Sequence, residues 1–269
     1  MRHILIPTDF SAAADRALAY GRLLAREFGA TVTLAYIHSM PMDPMRMGEV
    51  SAELYEDGEA MLEKQADQLR AEGLTVDTEV QLGDAVSRLK SIVLKRGIDF
   101  IVMGCQGRHY VPVNLFGSTT TSLMEEVSVP ILAVPLEYEP RKPEKIVWAT
   151  DSTVPSGTDV LEPMLHLAER SGHELQVFHY QEYDERELPD PKFKELLADI
   201  PTDFYVQLDD GATADRAIRD FVAKTGADLV TLIHRRSGWL NRLVVASSTR
   251  KAVFTSPVPI LILQEKKPR

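Results

Sequence analysis

The chain repeats itself. The segment RHILIPTDFS, starting at Arg2, returns as EKIVWATDST, starting at Glu144, and Asp9 matches Asp151 at an offset of 142. GIDFIVMG, from Gly97, returns as GADLVTLI, from Gly226, at an offset of 129. The same offset aligns VPILAV, from Val129, with VPILIL, from Val258. Self-similarity at this distance divides the 269 residues into two copies, 1–137 and 143–264, each of ordinary domain size. The join LEYEPRKPEK is charged and carries two prolines, as a linker should.

Each copy alternates short apolar runs with amphipathic stretches. In the first, HILIP is a strand signal, and Ser11 is placed to cap a helix. That helix puts Ala14, Leu18, Gly21, Ala25 and Phe28 at helical spacing and can end at Gly29. TVTLAYI reads as a strand, a charged helix follows over about Glu49–Glu72, and TVDTEVQL reads as a strand. Val86–Lys95 reads as a helix, DFIVM as a strand, the stretch from Ser118 as a helix and PILAV as the last strand. The second copy keeps the order with a shorter middle. Strands alternating with helices imply right-handed crossovers and a parallel α/β sheet covered on both faces.

Composition narrows the function classes. The net charge of −10 argues against general nucleic-acid binding and against an anionic membrane surface, since both call for a basic face. No stretch approaches the ~20 apolar residues of a membrane span, and the first ten residues do not read as a signal peptide. A single cysteine, Cys105, leaves no internal disulfide and suits a reducing cytoplasm. The seven histidines show no metal-ligand spacing, so no structural metal is expected.

The segment GCQGRHYVPVNLFGSTT, Gly104–Thr120, carries the chemistry. In an open parallel sheet, ligands bind beyond the carboxyl ends of the strands, where strand order reverses. Asp9 follows strand one and Gly104 follows strand four. The loop ends where a helix begins, and a helix N-terminus offers free N–H groups and a positive dipole end to phosphate. It is neither a Walker A loop nor a G-x-G-x-x-G loop. On spacing alone it is a polyanion cradle or a long surface turn.

ILIPTDFS, GIDFIVMG, G-x-x-G-x₉-G-S and VPILAV, in this order, resemble the universal stress protein family over nearly the whole chain. The resemblance implies a tandem member: two five-stranded parallel sheets in order 3-2-1-4-5, Rossmann-like, in the manner of the adenine nucleotide alpha hydrolases. Gly104, Gly107, Gly117 and Ser118 match the family's ATP-binding signature. The resemblance further implies adenosine contacts at Pro7, Thr8 and Asp9, and adenine-side contacts at Ile37 and Met103. It places Gly104, Gly107, Arg108, Gly117, Ser118, Thr119 and Thr120 around the phosphates, with or without a magnesium ion held by the nucleotide near Asp9. Plain core packing is the competing account of Ile37 and Met103, and helix capping that of Asp9.

The second copy departs from the signature. At the offset of 129, Gly104 becomes Ile233, Gly107 becomes Arg236 and Gly117 becomes Ala246, while Ser118 keeps Ser247. Pro7 becomes Ala149. ATP is therefore expected in the first copy alone. His234, Arg235, Arg236 and Arg242 form either a solvated basic loop or a site for another anion, with Gly238 able to replace a lost glycine. Cys105 is a small buried filler or a reactive thiol. MPMDPMRM, Met40–Met47, is a loop over the sheet edge or a soft lid over the nucleotide.

These features favour an ATP-binding regulatory module over a slow ATPase or nucleotide-processing enzyme, and over a scaffold with structural ATP. No residue is placed as a general base, and no second-substrate signature is present. Single-copy relatives commonly pair through their last strands, so PILAV and PILIL are expected to meet as an internal pseudo-dimer. A homo-oligomer or a protein partner stays open.

Overall fold

The computed structural model describes residues 1–38, 52–105, 118–150, 154–171, 174–181, 191–197, 200–208, 214–235 and 256–265. The expectations for Met40–Met47, Gly107, Arg108, Gly117, Asp151, Arg236, Gly238, Arg242, Ala246 and Ser247 fall outside them. Two compact units meet in sequence between Pro140 and Arg141.

In the first unit the elements are β1 (His3–Thr8), α1 (Ala12–Phe28), β2 (Thr31–His38), α2 (Ala52–Ala71), β3 (Val76–Leu82), α3 (Ala85–Arg96), β4 (Phe100–Gly104), α4 (Ser118–Glu126) and β5 (Ile131–Val134). The strands run parallel in the order β3-β2-β1-β4-β5. Ile4, Leu5 and Ile6 are apolar on both faces and fully buried, which suits a central strand with helices on either side.

Local sequence fixes the helix ends. Ser11 caps α1 by accepting a hydrogen bond from Ala14 N at 3.2 Å. Gly29 closes it in the left-handed region at φ 62°, with its N–H on Ala25 O. The buried stripe of α1 is Ala13, Ala14, Ala17, Tyr20, Gly21, Leu24 and Ala25; Leu18 and Phe28, expected on it, are only half-buried. Asp84 caps α3 through Ser87 N at 2.8 Å.

The alternation of a strand then sorts the side chains. Gly21 of α1 lies against Ile6 and Val102, and Gly58 of α2 against the ring of Tyr36. The even-numbered residues of β1, β2 and β4 thus face α1 and α2. The odd-numbered ones face the other layer, where α3 and α4 pack together.

In the second unit, β6 (Lys145–Thr150) is followed by a 3₁₀ turn (Thr158–Val160), α5 (Glu162–Ser171), β7 (Glu174–Gln181), α6 (Pro191–Leu196), β8 (Thr202–Leu208), α7 (Ala214–Thr225), β9 (Leu229–His234) and β10 (Ile260–Gln264). Its strands are again parallel, in the order β8-β7-β6-β9-β10. This is the arrangement of the first unit. The shortened middle is α6, 6 residues where α2 has 20. The core is more aromatic: Trp148 packs on Phe193 at 5.4 Å, and Phe178 stacks on Phe221 at 4.4 Å.

The repeated G-x-D motif has one job in both units. The Asp99 carboxylate accepts from the backbone N–H of Arg2 and His3 at 2.9–3.1 Å. The Asp228 carboxylate accepts from Glu144 N and Lys145 N at 2.9 and 3.1 Å. Each aspartate ties the start of its unit's fourth strand to the start of the first, and so satisfies donors at a strand end that have no ladder partner.

Candidate functional site

Strand β1 pairs with β2 at all six of its positions, but with β4 only at Ile4 and Leu5. The carboxyl ends of β1 and β4 are therefore unpaired with each other, at the place where strand order reverses. A crevice there is the expected ligand position for an open α/β sheet.

One lip of the crevice is the turn from Thr8 to Ser11. Thr8 Oγ1 accepts from Phe10 N, and Asp9 Oδ1 accepts from Ser11 N, each at 3.0 Å. These two side-chain bonds hold Phe10 in the left-handed region, φ 58°, an uncommon conformation for a residue with a bulky side chain. The Phe10 ring leans on Tyr36 with centroids 4.8 Å apart, and the Tyr36 hydroxyl lies 3.0 Å from His38 Nδ1. Asp9 is thus not the helix cap, a role that belongs to Ser11. Its carboxylate shapes the turn and lies half-buried.

The other lip is the end of β4. Gly104 is bare for a reason that spacing did not show. A Cβ there would stand 2.6 Å from the carbonyl oxygen of Ala13 and 2.7 Å from its carbonyl carbon, so the first turn of α1 rests on the glycine backbone. In the second unit the matching residue, Ile233, is buried with a full side chain. There α5 begins only at Glu162 after β6 ends at Thr150, whereas α1 begins at Ala12 after β1 ends at Thr8. The longer connection goes with the bulkier residue.

The remaining expected contacts separate by face. Pro7, Ile37 and Met103 are odd-numbered positions near the carboxyl ends of β1, β2 and β4, so all three share the face covered by α3 and α4. Met103 is buried, and Pro7 and Ile37 are half-buried. Thr8 and Gly104 belong to the opposite face. At the start of α4, Ser118 is exposed, Thr119 half-buried and Thr120 buried. Ser118 is thus open to solvent at the start of the helix, while Thr120 is enclosed by protein. Cys105 is fully buried, its N–H donates to Val134 O at 3.1 Å, and burial pushes its thiol pKa well above the ordinary value. It is a filler and carries no reactive thiolate.

In the second unit His234, the last residue of β9, and Arg235, which follows it, have protein partners. His234 Nδ1 lies 2.9 Å from Gln264 Oε1. Arg235 is ion-paired with Glu265, whose carboxylate also accepts from Ser156 N at 2.5 Å. Burial would raise the Glu265 pKa, but the Arg235 guanidinium and the Ser156 N–H outweigh it and hold the carboxyl below its ordinary value. The charge of Arg235 is answered from within the chain. Sequence reading missed Glu265, Phe10 and Tyr36. The first pairs across 30 positions, and the other two meet only through the register that sets Thr8 beside Tyr36.

The sequence profile of the universal stress protein family matches residues 1–135. The chain belongs to the universal stress protein family. A universal stress protein of Methanocaldococcus jannaschii is 28% identical over 149 residues, which is 54% of this chain and 84% of that one. Among solved structures, a universal stress protein from Archaeoglobus fulgidus DSM 4304 shares the fold at a TM-score of 0.75 and 18% identity, over 98% of this chain and 97% of that one. A putative universal stress protein from Pseudomonas aeruginosa UCBPP-PA14 matches at a TM-score of 0.66 and 16% identity, over 98% and 93%. Both of these span two units' length. Among the described residues no helix is long and apolar enough to cross a membrane.

Proposed function

We propose that the first unit of this universal stress protein binds an adenine nucleotide, ATP, and that occupancy serves regulation in a stress response in the cytoplasm. The observation that carries this reading is the parting of β1 and β4 beyond Leu5 and Ile101, with the Asp9 turn at one lip and Gly104, at the end of β4, at the other. The base would lie toward Pro7, Ile37 and Met103, which share a face. Ser118 and the free N–H groups of the first turn of α4 would meet phosphate. Gly107, Arg108 and Gly117 belong to the same signature by sequence. A magnesium ion, where one accompanies the nucleotide, would sit between the phosphates and Asp9.

Binding rather than turnover is the reading we favour, since the sequence carries no second-substrate signature. Asp9 spends one carboxylate oxygen on Ser11 N, so that its carboxylate already serves the turn. We further propose that the second unit persists as an internal partner, its last strand paired with that of the first, so that pairing within one chain does not depend on dilution.

Mass spectrometry of the ligand released from the purified protein, with calorimetry against ATP, tests the reading. ATP or ADP in the released fraction is the expected result. Hydrolysis should stay far below the ~10 s⁻¹ typical of enzymes. Asp9→Asn keeps an acceptor for Ser11 N, so it should fold normally and weaken only magnesium-dependent binding. Steady turnover at ordinary enzyme rates that vanished in Asp9→Asn would make this an ATPase instead.

A further inference from the structure

We propose that Pro7 is a positioning residue that ends the β1–β4 ladder and so sets the opening of the crevice, and that Ala149 lets the second unit zip the same gap further. The functional half rests on the nucleotide reading above; the structural half stands without it.

The Arg2 carbonyl accepts from Thr31 N at 2.9 Å, toward β2, and the His3 carbonyl from Asp99 N at 3.1 Å, toward β4. Backbone groups alternate sides along a strand, so Leu5 and Pro7 also turn theirs to β4. On β4, Cys105 N donates to Val134 O and Ile101 N to Pro130 O, both toward β5. Val102 and Gly104 therefore turn toward β1. The rung after Leu5–Ile101 would set Ile6 opposite Val102, and it needs the N–H of residue 7 donated to the Val102 carbonyl. Proline has no N–H. Pairing stops at Leu5 and Ile101.

The second unit is the internal control. The Glu144 carbonyl accepts from Glu174 N and the Lys145 carbonyl from Asp228 N, the same alternation. The residue matching Pro7 is Ala149, which has an N–H. There the pairing runs one step further, through Trp148 and Thr231, the counterparts of Ile6 and Val102. One backbone hydrogen accounts for the extra rung. Loss of the glycines is then only half of why the second unit would not take ATP, since its first and fourth strands also stay paired closer to their carboxyl ends.

The test is Pro7→Ala in the full chain, followed by three measurements. Hydrogen exchange by NMR without nucleotide should show the new residue-7 amide exchanging at least about 100-fold slower than an open amide. Calorimetry should show ATP affinity about tenfold weaker. The melting temperature should hold or rise, because a rung is gained. A proline needed only for folding would instead lower the melting temperature and the affinity together. In the mirror variant, Ala149→Pro, the melting temperature should fall with ATP affinity unchanged. An unprotected residue-7 amide, or a Pro7→Ala chain that fails to fold, overturns the ladder. A protected amide with unchanged ATP affinity overturns the positioning role. If the parent chain binds no ATP, the nucleotide reading fails, while the amide still decides the ladder.

Discussion

Gly104 and Ala13 are in backbone contact: a Cβ on the glycine would lie 2.6 Å from the Ala13 carbonyl oxygen. The first glycine of the signature is thus required by the approach of helix α1 to strand β4, before any ligand is considered. Gly104→Ala should push α1 outward and cost about 1–3 kcal/mol, as overpacking does. Thermal melting checks this. An unchanged melting temperature would show that the contact is slack and return Gly104 to a purely ligand-related role.

Nucleotide stoichiometry should be one per chain. Calorimetric titration with ATP is expected to give a single site, since the second unit has Ile233, Arg236 and Ala246 where the first has glycines. Gly117→Val should abolish binding with the fold intact, and Ala246→Val should leave affinity unaltered. Two equal sites would contradict the assignment.

Cys105 should be silent in the folded chain. A thiol that is fully buried, with its pKa raised by burial, has almost no thiolate at neutral pH. A thiol reagent such as DTNB should label it only after unfolding. Rapid labelling of the native protein would mean that β4 opens far more readily than its buried neighbours imply.

Glu265 should contribute to acid sensitivity. Its folded pKa lies below the unfolded value because Arg235 and Ser156 outweigh burial. The stability it adds is present above the unfolded carboxylate pKa and is lost as pH falls through the depressed folded one. Glu265→Gln should therefore lower the melting temperature at pH 7 and shrink the difference between variant and parent toward pH 3. A gap that is constant across that range would show that the ion pair has no part in it.

Much of the fold was legible because its signals are local. Ser11 caps α1, Gly29 ends it in the left-handed region, and the fully apolar run Ile4–Ile6 suits a strand covered on both faces. The repeat announced two units of one kind. Less of the site was legible. That Pro7, Ile37 and Met103 share a face depends on the registers of three strands, and Asp9 turned out to hold Ser11 N rather than to cap a helix.

The sequence by itself determined the strand–helix alternation, the duplication and the family, because periodicity, caps and motif spacing act over a few residues and survive without tertiary contacts. Only the tertiary structure decided what the side chains do. The buried state of Cys105, the pairing of Arg235 with Glu265, the rest of Ala13 on Gly104 and the end of the ladder at Leu5 each join residues distant in sequence. Such contacts are set by register and close packing, where a tenth of a nanometre separates a fit from a clash, and no local pattern encodes them.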